Sequence, residues 1–253
     1  MKALVTGAVH GLGRAIAEQL MEQGYTVTAV DRDQSGLFDM GQSHVGQCET
    51  VTLDLADAEA VSAFATGCIY GPFDIIVHNA GISATGKFEQ LPPSAYQRLI
   101  NINLKAPILL TTALVGSGKT AKACRIIFVS SLSHFTGYPG AAVYGAAKDG
   151  LAVYAKSISK AFKKRGVSTL TVFPGPLRTD HARKHAPPGA RENRRMVPEK
   201  AATLILKAAK SKKKTLVPGT GPWFASQLGQ LFPGLTTRMM RRAIYDKLVE
   251  PRF

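Results

Sequence analysis

The sequence predicts an α/β protein: a doubly wound, mostly parallel sheet of about seven strands with helices on both faces, followed by a C-terminal helical extension. Three observations predict this fold class. Short apolar strands alternate with helical segments along the first 218 residues, glycines cluster directly after the first strand, and an acid ends the second strand. Strands that are buried on both faces read as short apolar runs, which is what this chain shows.

The first strand–helix–strand unit occupies the start of the chain. An apolar run at Lys2–Thr6 predicts a strand, residues 14–23 have helical periodicity, and Gly24 ends that helix. The segment 25–30, YTVTAV, predicts a second strand that ends in Asp31. A strand, glycine loop, helix, strand and acid within about thirty residues are typical of a dinucleotide-binding unit.

The same alternation continues through the rest of the first 218 residues. Pro107 lies inside the long predicted helix Pro93–Val115 and predicts a kink, because proline lacks the N–H of a helical hydrogen bond. The predicted strands are 49–55, 73–81, Cys124–Ser130, 167–175 and 214–219, and the predicted helices are 58–68, Pro93–Val115, 142–165 and 197–211.

The glycine cluster reads T-G-A-V-H-G-L-G at Thr6–Gly13. Glycines allow a tight turn and let the backbone approach a pyrophosphate at a helix N-terminus, where free N–H groups favour anions. Asp31 suits a ribose 2′-hydroxyl and repels a 2′-phosphate, which favours NAD over NADP. The neighbouring Arg32 keeps NADP as the alternative.

A second constellation follows the predicted strand at Cys124–Ser130. Tyr144 and Lys148 are four residues apart and share one face of a predicted helix, and Ser131 lies thirteen residues before Tyr144 at the strand tip. A free tyrosine has a pKa near ~10, and a nearby ammonium lowers it. A lone Y-x-x-x-K pair is more often a core aromatic beside a solvated lysine, so the rest of the chain must supply the context.

Five motifs in order give that context. They resemble the classical short-chain dehydrogenase/reductase family over residues 1–180 and more weakly over 197–218. The motifs are the glycine turn at Thr6–Gly13, an N-N-A-G signature read as His78–Gly81, a helical Asn at Asn103, the set Ser131, Tyr144 and Lys148, and P-G-x-x-x-T at Pro174, Gly175 and Thr179.

The resemblance implies a Rossmann fold and a role for each matched residue. Tyr144 is the acid/base, Lys148 lowers its pKa and binds the nicotinamide ribose, Ser131 positions the substrate oxygen, and Asn103 supports a water chain. Cofactor contacts are implied for Tyr144 and Lys148 and also for Gly7, Gly11, Leu12, Gly13, Asp31, Asp54, Leu55, Asn79, Ala80, Gly81, Pro174, Gly175 and Thr179.

Two substitutions depart from the family pattern. His78 replaces an amide side chain, and we expect it to pack at the strand end without a catalytic role. His10 stands where NADP-using relatives often place an arginine, which again favours NAD.

His181 and His185 have the spacing of metal ligands on a helix, but no third ligand is evident. We therefore expect a solvated loop there and no metal.

The basic charge of the chain is concentrated in its last third. The net charge is +15; residues 176–253 hold 17 Lys and Arg against 5 Asp and Glu, whereas the first 175 hold 15 against 12. Such a balance suits an anionic substrate, acidic lipid or nucleic acid. No nucleic-acid fold is recognisable, so we read the lysines of Lys210–Lys214 as a solvated turn and expect no nucleic-acid partner.

The composition also indicates the cellular compartment. Three widely spaced cysteines fit a reducing compartment, no window has about eighteen uninterrupted apolar residues, and the first strand starts at once, leaving no room for a signal peptide. We expect a cytoplasmic homodimer or homotetramer.

Two segments fall outside the alternation. Residues 178–197 are polar and basic and predict a mobile loop or lid, while 219–253 carry spaced apolar residues that predict one or two amphipathic helices interrupted at Pro233–Gly234. Residues 1–218 are expected to form the NAD(P)-binding domain with the catalytic site, and 219–253 an extension that packs on this domain or on a partner subunit. Contact of the basic tail with a membrane is the less favoured alternative.

The predicted function is hydride transfer between NAD, or alternatively NADP, and a small secondary alcohol or ketone, with an anionic substrate as a hypothesis. Two alternatives stay open. One is a non-catalytic NAD(P)-binding regulator or scaffold, against which the intact set Asn103, Ser131, Tyr144 and Lys148 argues. The other is a membrane-docked lipid or steroid dehydrogenase, for which the basic, apolar tail is the evidence.

Overall fold

The computed structural model describes residues 1–87, 90–186, 192–248 and 250–252. Its seven strands form one sheet in the order β3-β2-β1-β4-β5-β6-β7, with every neighbouring pair parallel. The predicted doubly wound fold is thus confirmed. The strands are β1 (Lys2–Thr6), β2 (Thr26–Asp31), β3 (Cys48–Thr52), β4 (Phe73–His78), β5 (Thr120–Val129), β6 (Ser168–Val172) and β7 (Thr215–Leu216).

Helices cover both faces of the sheet. Helices α1, α2 and α9 pack on one face, and α3, α5 and α7 pack on the other. The helices are α1 (Gly11–Glu22), α2 (Gln34–Ser43), α3 (Ala58–Thr66), α4 (Pro93–Ile100), α5 (Ala106–Gly116), α6 (Ser133–Thr136), α7 (Ala142–Lys163), α8 (Asp180–Lys184), α9 (Pro198–Ala209), α10 (Thr220–Leu231) and α11 (Pro233–Ala243).

The central strands divide their side chains between two cores. In β1, Ala3 and Val5 enter the core under α1, while Leu4 enters the core under α5. Alternate side chains of a strand point to opposite faces, so a strand buried on both sides must be apolar throughout. This is why the short apolar runs of the sequence identify the sheet.

Besides α8, which lies in the segment predicted as a loop, two helices lie where the sequence pattern predicted none. Helix α2 presents only Leu37 and Met40 as buried residues, and the Asp33 carboxylate caps it by accepting a hydrogen bond from the backbone N–H of Gly36. Helix α6 has only four residues. Both are too short or too polar to produce a strong helical periodicity.

The predicted helix Pro93–Val115 is interrupted, as expected, but slightly earlier than Pro107. Residues Asn101–Lys105 form a π-helical turn between α4 and α5. The combined stretch Pro93–Gly116 has the length and apolar composition of a membrane span, yet half of its most apolar 18 residues are buried inside the fold, where the stretch packs against α3 and α7. It therefore has the environment of a core helix.

The C-terminal extension forms two helices, and the predicted break is present: Phe232 ends α10 and also precedes α11. Beyond α11 the chain turns back to the main domain, where Arg252 forms an antiparallel bridge with Thr85. The segment predicted as a mobile lid, 178–197, contains α8 and a 3₁₀ turn at Glu192–Arg194, while its residues 187–191 lie outside the described part.

His78, at the end of β4, is a buried core residue, as expected. Its Nε2 atom lies 2.8 Å from the Thr111 hydroxyl, and its ring stacks on Phe128 with centroids 5.1 Å apart. Burial lowers the pKa of His78 to about 3. The ring is therefore neutral in the folded protein at physiological pH.

Replacing His78 by asparagine tests this burial. An unfolded chain binds a proton at His78 near pH 6.5 and the folded chain only near pH 3, so acidification below pH 6.5 destabilises the wild type. Between pH 7.5 and 5, the wild type should lose about 2 kcal/mol more unfolding free energy than His78→Asn. Urea denaturation at both pH values measures the difference. Equal losses in the two proteins would contradict a neutral buried ring.

Candidate active site

The site is built at the carboxyl ends of β1 and β4, where the order of the strands reverses. Gly7 and Gly11 have φ values of +65° and +51°, which strongly favour glycine. A Cβ atom on Gly13 would lie 1.9 Å from the carbonyl oxygen of Gly7. All three glycines of the motif are thus required by backbone geometry, and the turn leaves an open approach to the start of α1.

The N-terminus of α1 can receive an anion. His10 is its N-cap residue and makes no side-chain capping hydrogen bond, so the first N–H groups of the helix keep their capacity to bind a ligand. Leu12 is buried in the core, which leaves its backbone as the part that can contact a cofactor. This turn fits the pyrophosphate of a dinucleotide.

Asp31 is held rigidly at the end of β2. One carboxylate oxygen accepts a hydrogen bond from the Val9 N–H at 3.0 Å, and the other accepts from the N–H groups of Arg32 at 2.8 Å and Asp33 at 3.1 Å. The Asp33 carboxylate lies 2.8 Å from His10 Nε2. The hydrogen bond from Gly36 N–H, and then those with Ser35 and His10, lower the pKa of Asp33 to about 2. Two carboxylates, those of Asp31 and Asp33, therefore lie at the end of β2.

The predicted adenine-flanking residues follow β3. Leu55 is buried, and Asp54 accepts hydrogen bonds from the Ala56 N–H at 2.9 Å and from Arg98 at 2.9 Å. Partial burial raises the pKa of Asp54, but those hydrogen bonds and the charges of Arg98 and Arg32 outweigh it, so the net pKa is lowered. Asp54 is thus an anion that is already paired with an arginine.

Asn79, Ala80 and Gly81 follow β4 and lie between the glycine turn and the side chains of Asn103 and Lys148. The Asn79 carboxamide donates to the carbonyl oxygens of Thr6 and Gly7, both at 3.1 Å. A Cβ atom on Gly81 would lie 3.0 Å from Lys148 Nζ and 3.1 Å from Asn103 Oδ1. The ammonium and the carboxamide therefore flank the same glycine.

The Tyr144 side chain on α7 forms a hydrogen bond with the side chain of Ser131, which follows β5. Helix α7 is fixed to the end of β5 because the buried Ser130 hydroxyl donates to the Lys148 carbonyl oxygen at 2.8 Å. Burial raises the pKa of Tyr144 to about 12, although its hydrogen bond with the Ser131 side chain lowers it. The phenol is thus neutral at physiological pH and poised to donate a proton.

The predicted lowering of the Tyr144 pKa by Lys148 stays a prediction. In the structure, burial raises the pKa of Tyr144 and the hydrogen bond with Ser131 lowers it in part. The Lys148 ammonium donates to the Val129 carbonyl oxygen at 2.8 Å, and burial lowers its own pKa to about 8.

Asn103 lies in the π-helical turn and is fully buried. Its side-chain oxygen accepts from the Ile82 N–H at 2.9 Å, and its side-chain nitrogen donates to the Ile82 carbonyl at 2.8 Å. Asn103 thereby fixes the loop after β4 beside Lys148. The π-helical turn places an amide here that a regular helix would direct elsewhere.

The P-G-x-x-x-T motif at Pro174, Gly175 and Thr179 lies at the edge of the site. The Pro174 carbonyl accepts from Leu132 N–H at 2.9 Å, and Gly175 packs against Pro222 at the start of α10. The Thr179 hydroxyl caps α8 by accepting from the Ala182 N–H at 3.1 Å. A Cβ atom on Gly11 would lie 2.9 Å from the Thr179 methyl, so this motif touches the glycine turn.

Three site neighbours were not found by motif reasoning. The Tyr138 ring makes an edge-to-face contact with Tyr144 at 6.0 Å, and Arg195 is close enough to Tyr138 to influence its pKa. Arg252 donates from its side chain to the Lys184 carbonyl at 2.9 Å, which ties the C-terminus to α8. These contacts join segments that are distant in sequence, so no local sequence pattern predicts them.

The interpretation of His181 and His185 as a solvated loop is wrong for His185. Its ring is buried, lies 3.2 Å from the Thr85 hydroxyl and is 4.9 Å from the His181 ring. Burial, with smaller effects of nearby charges, lowers the pKa of His185 to about 4. Within the described ranges, no group of three His, Cys, Asp or Glu side chains has the arrangement of a metal site.

Comparison with known proteins agrees with this geometry. The family model described as short chain dehydrogenase matches residues 1–188. The 3-oxoacyl-(acyl-carrier-protein) reductase FabG of Vibrio harveyi is 34% identical over 182 residues, which cover 70% of this chain and 74% of that protein. The ketoacyl reductase HetN of Nostoc sp. is 30% identical over 253 residues, covering 94% of this chain and 87% of its own.

Solved structures share the fold. A short-chain dehydrogenase from Streptomyces avermitilis superimposes with a TM-score of 0.82 at 26% identity, covering 95% of both chains. A metagenomic short-chain oxidoreductase, solved in complex with NADP, gives a TM-score of 0.70 at 29% identity and covers 87% of this chain and 98% of its own.

Lys148→Met should stabilise the protein at neutral pH. The folded pKa of Lys148 is about 8 and the ordinary value is 10.5, so burial of the charge destabilises the fold below pH 8, and this cost disappears as the pH rises towards 10.5. We expect the variant to gain about 1–3 kcal/mol of unfolding free energy at pH 7 and less at pH 10, since loss of the bond to Val129 offsets part of the gain.

The matched control is Lys156→Met, which removes an exposed lysine of the same helix and should change stability by less than about 0.5 kcal/mol. Chemical denaturation at both pH values compares the three proteins. A Lys148→Met variant that is less stable than the wild type at pH 7 would show that the ammonium stabilises the fold.

Proposed function

The chain belongs to the short-chain dehydrogenase/reductase family, and we propose that it reduces a ketone to a secondary alcohol, or catalyses the reverse reaction, with a nicotinamide cofactor. The observation that carries this proposal is a neutral phenol that hydrogen-bonds a hydroxyl at the end of β5 and lies one helical turn before a buried ammonium on α7. Tyr144 and Ser131 share a hydrogen bond, and Lys148 lies under Gly81.

The chain's own groups account for the proton transfer. When bound, the cofactor supplies or accepts the hydride. The substrate oxygen would lie between Ser131 and Tyr144, so that the Ser131 hydroxyl orients it and the Tyr144 phenol gives it a proton. A phenol with a pKa of about 12 is fully protonated at pH 7, which favours reduction as the direction that needs no prior deprotonation.

The residues around the glycine turn fit a dinucleotide. The start of α1 would hold the pyrophosphate, Asp31 a ribose hydroxyl, Asp54 and Leu55 the adenine, and Asn79 with Gly81 the second ribose. Lys148 has donors to spare beyond its bond to Val129, because an ammonium carries three N–H groups. Pro174, Gly175 and Thr179 would border the nicotinamide.

Two carboxylates support NAD as the cofactor, with NADP as the alternative. Asp31 and Asp33 both lie at the end of β2, where a 2′-phosphate would bring further negative charge. Arg32 could offset them, but its charge also acts on Asp54. The NADP complex of the metagenomic neighbour weighs for the alternative.

The substrate we propose is a small ketone that carries a negative charge, such as a carboxylate, a phosphate or an acyl-carrier group. Arg195 lies near Tyr138 at the edge of the site, and the two curated relatives are named as reductases of oxoacyl groups. We further infer a cytoplasmic enzyme that assembles as a homodimer or homotetramer, as its membership of the family suggests.

Tyr144→Phe tests the reaction. The change removes one hydroxyl from a ring that keeps its contact with Tyr138, so the fold and cofactor binding should persist while kcat falls by at least about 1000-fold. Turnover is read by nicotinamide absorbance over a panel of charged and neutral ketones, with cofactor binding measured separately. A wild type that binds cofactor but turns over no member of the panel would favour the cofactor-binding regulator instead.

Asp31→Asn tests the choice of cofactor. The amide retains one oxygen acceptor for the backbone N–H groups but loses the negative charge, so the ratio of the NADP to NAD dissociation constants should fall by about 10-fold. Asp39→Asn, an exposed acid on α2, is the control of equal charge and should leave the ratio unchanged. Equal ratios in both variants would remove Asp31 from the ribose site.

A further inference from the structure

The hairpin formed by α10 and α11 packs on the domain through its small and polar side chains. Ser226 is fully buried and Thr236 is nearly so, and both helices contact α6. A Cβ atom on Gly229 would lie 2.1 Å from the carbonyl oxygen of Phe135, so the backbones touch at that point. The inner face of the hairpin therefore contains little apolar surface.

The outer face of the hairpin is strongly apolar. Of 13 exposed large hydrophobic residues in the described ranges, seven lie in this 24-residue segment, and Leu231 and Phe224 are 72% and 66% exposed. Helices on a soluble domain normally direct such residues inward, so this amphipathicity is inverted. The outer face consists of Trp223, Phe224, Leu228, Leu231, Phe232, Leu235 and Met239.

The tail was predicted to pack on this domain or on a partner subunit, and within the single chain the domain leaves this face uncovered. Folding of the single chain does not bury these side chains, and their exposure leaves unfavourable contact with water. A partner surface that removes them from water would stabilise the docked state.

Charge identifies the kind of partner. Between Thr220 and Ala243 there are three arginines and no acid. Arg238, Arg241 and Arg242 are exposed and lie three and four residues apart on α11, which groups them on one side. Arg241 approaches Asp246 at 3.8 Å, outside the hairpin. Arginines beside tryptophan, phenylalanine and leucine are the composition of helices that lie in a lipid interface.

We propose that the outer face of the hairpin docks on the surface of an anionic lipid bilayer. A two-fold contact with a second copy is less favourable, because it would place arginines against arginines without an acid in the hairpin to pair with them. A bilayer with acidic headgroups neutralises the arginines and takes up the apolar side chains together.

Docking would place the bilayer beside the candidate active site. Pro222, at the start of α10, packs on Gly175 of the P-G-x-x-x-T motif, and Trp223 follows Pro222 directly. The docking itself does not depend on hydride transfer. Tyr144→Phe should therefore bind vesicles as the wild type does, even though it has lost turnover.

The chain carries its own probe. Trp223 is the single tryptophan of the sequence and lies in the outer face, where it is 48% exposed. Vesicles that mix phosphatidylglycerol with phosphatidylcholine should shift its emission to shorter wavelength and sediment with the full-length protein. Vesicles of phosphatidylcholine alone should bind much more weakly, and added salt should release the protein from the anionic vesicles.

Two sets of variants separate charge from apolar contact. R238Q/R241Q/R242Q should weaken binding to the anionic vesicles by roughly 100-fold, since each arginine near the surface contributes about a tenfold factor or somewhat less. K212Q/K213Q/K214Q removes the same charge from an exposed turn at the opposite end of β7 and should change binding by less than about threefold. L231S/F232S should weaken binding by more than about tenfold, whereas F38S/I69S, two exposed positions elsewhere, should not.

Three results would overturn the proposal. If the wild-type protein does not bind anionic vesicles, the proposed docking is excluded directly. If the arginine and lysine variants lost equal vesicle affinity, binding would depend on the overall charge of the protein and not on the outer face of the hairpin. Sedimentation velocity provides the third: if L231S/F232S converts an oligomer to monomers, then a second copy covers the outer face and the bilayer does not.

Discussion

One hydroxyl, that of Thr6, connects the two strands on which the site depends. It accepts hydrogen bonds from the N–H groups of Asn79 at 3.1 Å and Ala80 at 3.2 Å, and it donates to the Val77 carbonyl at 3.3 Å. The Asn79 carboxamide in turn holds the carbonyls of Thr6 and Gly7. The glycine turn and the end of β4 thus form one rigid unit, and Gly81 is placed against Lys148 as a consequence.

Burial then sets the chemistry of this unit. The same exclusion of water raises the pKa of Tyr144 and lowers that of Lys148, so the phenol holds its proton while the ammonium becomes easier to discharge. Such a site costs stability at neutral pH, because a charged lysine is kept away from water. Asn103, clamped on Ile82, and Ser130, bonded to the α7 backbone, provide the rigidity that offsets this cost.

Much of this could be predicted from the sequence, because the fold and the motifs depend on local spacing. Apolar runs identified the strands, and Tyr144 and Lys148 share a helix face through their separation of four residues. The sign of the Tyr144 pKa shift could not be predicted, since it depends on how deeply the whole domain buries the ring. The environment of His185 was missed because its partner, Thr85, is 100 residues away.

The C-terminal tail also shows what local spacing cannot predict. Its apolar spacing predicted one or two helices with a break at Pro233–Gly234, and the structure has two with that break. Spacing alone, however, cannot say which face turns inward. That choice is made by close packing: Gly229 must meet the Phe135 carbonyl, and this contact rotates the bulky residues of α10 outward. Because α10 packs on its own domain through its smallest side chains, its largest apolar side chains are left to contact another surface. The arginines of α11 favour an anionic bilayer as that surface.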